Sequence, residues 1–214
     1  RAPAANESSN SLSPPLFHQQ ERLITMPQNN FSQPRTVTAS ERGGLDIRNL
    51  VLLAILLAAG FILNMTVGKA LSALTMGTLS PEFIIAAFCL EILIVRPKPA
   101  QALVIGLIAG AVIQISASVK GPDLIAEPIA ALVMALIVAA GMKGKAKAIV
   151  PVLGTFVTTT LSGLIYAVIV IYALRTVNAT LLIMLPVVLG TGVANAIIVG
   201  ALYLPIKKAL KLAD

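Results

Sequence analysis

From Leu50 to Ile206 the sequence is a succession of long apolar runs separated by short polar connectors. A helix that crosses a bilayer needs ~20 mostly apolar residues, and in hydrocarbon its backbone polar groups must be paired internally. Six spans are expected on this basis: Leu50 to Val67, Pro81 to Val95, Ala100 to Val119, Leu124 to Met142, Ala148 to Leu174, and Pro186 to Ile206. Only 12% of the residues are charged and 57% are hydrophobic, whereas a soluble domain carries about a quarter charged residues. The expected fold class is an all-α membrane protein, a six-transmembrane-helix bundle whose connectors leave no room for a soluble domain.

Residues 1–45 differ in kind. RAPAANESSNSLSPPLFHQQ and MPQNNFSQPRTVTASERGG are rich in Ser, Asn, Gln and Pro and have no apolar period, the composition of a disordered tail. They lack the apolar core of a signal peptide. Met26 is a candidate native start with added residues before it, and a targeting tail is the alternative reading. The substrate-binding domain is expected over residues 46–214.

Basic residues of membrane proteins concentrate in short cytoplasmic loops. Arg48, Arg96, Lys98, Lys143, Lys145, Lys147, Lys207, Lys208 and Lys211 fall on one side of the expected topology, and only Lys69, Lys120 and Arg175 on the other. Both termini are therefore expected in the cytoplasm of a multi-pass membrane protein. The formal net charge of +7 is accounted for by the anionic surface of the lipid bilayer, and no nucleic-acid partner is implied.

On the outer side lies GPDLIAEPIAALVMALIVAAG, which places Asp123 and Glu127 one helical turn apart on the same face at the mouth of a span. Anions complement a helix start, which is the plain reading of Asp123. Glu127 lies deeper, where a carboxylate costs up to ~2.5–3.5 kcal/mol and usually faces a cavity or a partner. Glu82 opens the second span on the same side. Three converging acids resemble a pocket more than three caps, and the positive group of a ligand, an amine if it is an amino acid, is expected to meet Glu82 or Glu127, with Lys120 available to a ligand carboxylate.

Other polar groups point the same way: Gln114, Ser116 and Ser118 in the third span, Tyr166 and Tyr172 in the fifth, and Asn195 in the sixth. Interfacial anchoring and helix–helix hydrogen bonding are their alternatives. Gln114 and Asn195 have several hydrogen-bonding positions and are costly to bury idle. Thr155, Thr158, Thr159, Thr160 and Ser162 are expected to bond their own backbone or pack closely, and Glu91 to pair with a basic residue such as Arg96.

Much chemistry has no residues to carry it. The sequence contains no HExxH, no GxSxG elbow and no GxxxxGK[ST] loop. The one histidine is His18, in the tail, and the one cysteine, Cys89, lies mid-span as a small apolar residue. Neither an enzyme nor a cofactor nor a metal is expected, and a binding role is favoured.

Six short helices, the inside-positive layout, the long outer first loop TVGKALSALTMGTLS and small residues on the first helix resemble an S component of an energy-coupling factor (ECF) transporter. The tryptophan-type S components are the most similar. The resemblance runs from Arg48 to Leu210 and rests on SPEFIIAAFCLEILIVRP, GTFVTTTLSGLIYAVIVI and LPVVLGTGVANAIIVGALYLPIKKAL, with Glu82 in place of the family's usual Asp. Pro122 and Pro128 match that family's fourth-helix pattern, while Asp123, Ala126 and Glu127 stand where it has Asn, Asp and Lys. The resemblance implies a membrane subunit that captures a small water-soluble nutrient, tryptophan or a related amino acid. Its implied partners are a transmembrane T subunit and two ATPase subunits. It also implies that Ala54 and Ala58, four residues apart in LLAILLAAG, dock the T subunit; Gly106 and Gly110 are a similar small pair on the third span. The alternatives are a vitamin-specific S component, a stand-alone ion-coupled carrier using Glu82 or Glu127, and a ligand-free assembly subunit. The first loop, about Thr66 to Ser80, is expected to act as a lid hinged at Gly68 and Gly77, with a surface amphipathic segment as the alternative.

Overall fold

A computed structural model describes residues 45–77 and 79–210. The expected tail, with His18 and Met26, and Lys211 near the other end lie outside the described residues.

The described residues form a helical bundle. Helix α1 (Ile47–Leu63) starts at Asp46, whose carboxylate accepts from the Ile47 amide at 2.7 Å. It continues without a break through a π-helical turn, Asn64–Gly68, into α2 (Lys69–Leu74). Next come α3 (Phe83–Val95), α4 (Pro99–Ile113), α5 (Asp123–Gly141) and a 3₁₀ turn at Lys145–Ala148. Helix α6 (Val150–Val168) ends in a second π-helical turn, Ile169–Ala173, and α7 spans Leu181–Ala209.

Four helical stretches are long and apolar enough to cross a membrane: Ile47–Leu74, Asp123–Gly141, Val150–Ala173 and Leu181–Ala209. Many of their large apolar side chains are exposed, Val51 and Ile55 on α1, Leu153 and Val157 on α6, and Ile197 and Leu204 on α7 among them. Lipid, unlike water, covers such a surface at no cost, and the fold is that of a multi-pass helical membrane protein.

The expected second span is built differently. Helix α3 has 13 residues, of which 11 are buried, so it measures about 20 Å, short of a ~30 Å hydrocarbon core. It is apolar all round because it is the centre of the bundle, contacted by α1, α4, α5, α6 and α7. Arg96, in the left-handed conformation (φ 54), ends it before Pro97.

Three expected boundaries are corrected. The first helix does not stop at Val67: most of the expected outer loop is the π turn and α2. The third helix ends at Ile113 instead of Val119, and the last starts at Leu181, with Pro186 inside its first turns. At the close of α2, the Gly77 amide donates to the Ser72 carbonyl at 2.7 Å and the Met76 amide to Ala73 at 3.3 Å. This is a Schellman end with Met76 at the left-handed position (φ 52).

Helix α4 meets α5 through Gly106 and Gly110. A Cβ on Gly106 would stand 2.5 Å from the Glu127 carbonyl oxygen and 2.6 Å from the Pro128 Cα; one on Gly110 would stand 2.7 Å from the Asp123 carbonyl oxygen. Small residues four apart let two helix backbones touch. Here the backbone they touch is that of the two acids.

Candidate functional site

A cavity of about 670 Å³ is bordered by the ends of α2, α4 and α6 and the starts of α3, α5 and α7. Consecutive helices therefore alternate in direction, and their loops and caps gather at this end. Glu82, Asp123 and Glu127 all line the cavity, and Lys69 is the one lysine among its lining residues.

Glu82 stands just before α3, on backbone held by α7. The Thr191 hydroxyl donates to the Ser80 carbonyl at 2.9 Å, and the Asn195 amide nitrogen to the Glu82 carbonyl at 3.0 Å. Thr191 and Asn195 are one helical turn apart, so one face of α7 fixes the segment that carries the acid. The Glu82 Oε2 atom is buried and has no hydrogen-bond partner.

Asp123 and Glu127 follow from the turn before α5. Gly121 sits at φ 109, a conformation that glycine adopts at no steric cost. Its amide donates to the Gln114 side-chain oxygen at 2.8 Å, and the Gln114 amide nitrogen donates to Asp123 Oδ2 at 3.1 Å. Glu127, 1% exposed, accepts the Ser162 hydroxyl on Oε1 at 2.7 Å, while its Oε2 is buried without a partner. The three carboxyl groups are close enough for their charges to interact.

Of the residues singled out from sequence, Glu82, Asp123, Glu127 and Tyr166 line the cavity together, as do Ser116 and Ser118. Gln114 and Asn195 act one layer behind, the first on Asp123 and the second on the Glu82 backbone. Lys120 is exposed and donates to the Gln114 main-chain carbonyl, so it stands at the edge of the site. Tyr172 is 60% exposed and outside this cavity. Ala54 and Ala58 are exposed on α1, while Leu53 and Leu57 of the same turns are buried.

Sequence reasoning missed four contributors. Asn64 and Lys69 were assigned to a span end and a loop, yet both line the cavity. Thr159 and Ser162 belong to the residues expected to bond their own backbone, as Thr155 does to Pro151 at 2.7 Å, or to pack closely, and both are buried. Beyond packing, Thr159 accepts from Asn195 at 3.4 Å and lines the cavity, and Ser162 holds Glu127. The expected Glu91–Arg96 pair is also corrected. Glu91 is fully buried with neither carboxyl oxygen partnered, and Arg96 is exposed where the left-handed turn carries it off the helix.

The arrangement suits binding by charge and hydrogen bonding. Glu82 and Glu127 border a space large enough for a small molecule, each has a buried carboxyl oxygen with no hydrogen-bond partner among the described residues, and polar groups left unpaired in a dry site carry a penalty that a ligand can remove. Comparison of the chain with family models, curated proteins and solved structures returned no match.

Proposed function

We propose that this chain is the substrate-binding membrane subunit of an importer, of the S-component type of ECF transporters, and that it takes a small water-soluble nutrient with an amine into the cavity at Glu82, Asp123 and Glu127. The observation that carries the reading is Glu127, which lines a cavity of about 670 Å³ and has a buried carboxyl oxygen with no hydrogen-bond partner among the described residues. In this reading all six apolar helices count as membrane elements, with α3 as the short central one, and both termini are cytoplasmic. Arg96 and Lys98 lie between α3 and α4, Lys143 and Lys147 between α5 and α6, and Lys207 and Lys208 at the end of α7, the helix ends away from the cavity. By the positive-inside rule the cavity then opens outward. Amino acids and related amines are the favoured cargo, and an ECF T subunit with two ATPases is the energising partner, docked at Ala54 and Ala58.

A stand-alone proton-coupled carrier is the second reading, favoured by Glu91, an unpartnered carboxyl buried beyond the cavity. Reconstitution separates the two. The importer subunit alone binds its ligand and accumulates nothing in proteoliposomes with an imposed proton gradient; uptake appears only with the T subunit, the ATPases and ATP. Uptake by the chain alone, driven by the gradient, would replace the first reading with the second.

A further inference from the structure

The cavity wall has more carboxyl groups than a single ammonium can meet. Three carboxyl groups and one lysine line it, and the acids are not equivalent. Asp123 has one oxygen engaged by Gln114 and Glu127 one by Ser162, and Glu82 and Glu127 each have a buried Oε2 with no hydrogen-bond partner among the described residues. Whether ionised or protonated, these atoms lack either a donor or an acceptor, and they come from different elements, the start of α3 and the second turn of α5. Among the described residues no group of three or more His, Cys, Asp or Glu is arranged to hold a metal ion. The lining also includes Ile85, Ile113, Val187 and Val188, available to an alkyl stem, and among the described residues Tyr166 is its one aromatic. A zwitterion with one amine would satisfy one carboxylate and leave the other buried and bare.

We propose that the ligand is a compact organic dication, two protonated nitrogens on a short alkyl stem, with one nitrogen held by Glu127 and the other by Glu82; this rests on reading the cavity as a ligand site. Lys69, on the α2 side of the cavity, meets a carboxylate when the dication carries one, which makes a basic amino acid the best-matched member of the class. Asp123, steadied by Gln114, offsets the remaining positive charge.

The test is calorimetric titration of the purified full chain in detergent with four probes: L-lysine, 1,5-diaminopentane, L-norleucine and pentylamine. Truncating one side of a desolvated charge pair weakens binding by about 30-fold or more, so both diamines should bind at least that much more tightly than the monoamines. In Glu127→Gln the preference should collapse, with diamines and monoamines binding alike. Lys69→Ala should weaken L-lysine and not 1,5-diaminopentane, which loses only a like-charged neighbour. If norleucine or pentylamine matches the diamines in the unaltered protein, the dication is overturned and the cavity remains a site for single cations. If none of the four binds, the dication is overturned as well; the cavity itself then stands or falls on a broader screen of nutrients against the same protein.

Discussion

Gly106 and Gly110 set where the acids stand, because α5 rests on α4 at the backbone of Asp123, Glu127 and Pro128. A side chain there has only main chain to push against. Gly106→Val should destabilise the bundle by about 1–3 kcal/mol, the usual cost of overpacking, and lower ligand affinity with it, read as a reduced melting temperature in detergent and a weaker binding isotherm. Glu91 predicts the opposite sign. A buried carboxyl with neither oxygen hydrogen-bonded carries an uncompensated desolvation cost, so Glu91→Leu should raise the melting temperature and leave binding at the cavity unchanged. Sequence identified Glu82, Asp123 and Glu127 because a carboxylate in an apolar run has few innocent explanations. It did not identify Ser162, whose bond to Glu127 joins residues on neighbouring helices, since a serine within a Thr-rich turn gives no sign of where it points.

The α1–α2 arm shows where hydropathy misleads. The apolar run fades after Val67, and the following Lys69, Ser72 and Thr75 read as a loop. Yet Asn64, Gly68, Lys69, Ser72, Ala73 and Met76 recur at three- to four-residue spacing and all line the cavity. The polar residues mark the inner face of a continuing helix. A π turn at Asn64–Gly68 lies where the arm begins to cover the site, and such turns are frequent at functional positions. If the arm is the lid, a thiol on its inner face is shielded when ligand is bound. Cys89 is buried and gives little background, so Ser72→Cys should react with a polar maleimide in the empty protein and several-fold more slowly at saturating ligand. Equal rates would make the arm a fixed wall. The same lesson applies to α3: its apolar length was legible, but its role as the bundle's centre depends on neighbours from five other helices.

For the whole molecule, the sequence pattern conveyed a helical membrane domain with Glu82, Asp123 and Glu127 at one end and most of its lysines and arginines at the other. What it left open was which helices face lipid and which face each other. The exposure of Ala54 and Ala58 predicts that Ala54→Trp and Ala58→Trp leave folding and ligand affinity of the isolated chain intact while abolishing ATP-driven uptake and co-purification with a T subunit. Joint loss of fold and binding would mean that the pair packs internally. The central claim, that Glu82 and Glu127 hold a ligand in the cavity between them, is tested most directly by equilibrium dialysis of the purified chain against a mixture of amino acids, vitamins and small amines. Native protein should retain one component at about one molecule per chain, and Glu82→Gln and Glu127→Gln, each folded with an unreduced melting temperature, should retain at least about tenfold less, since one lost charge contact costs 1.4 kcal/mol or more. Undiminished retention in both variants would contradict the account.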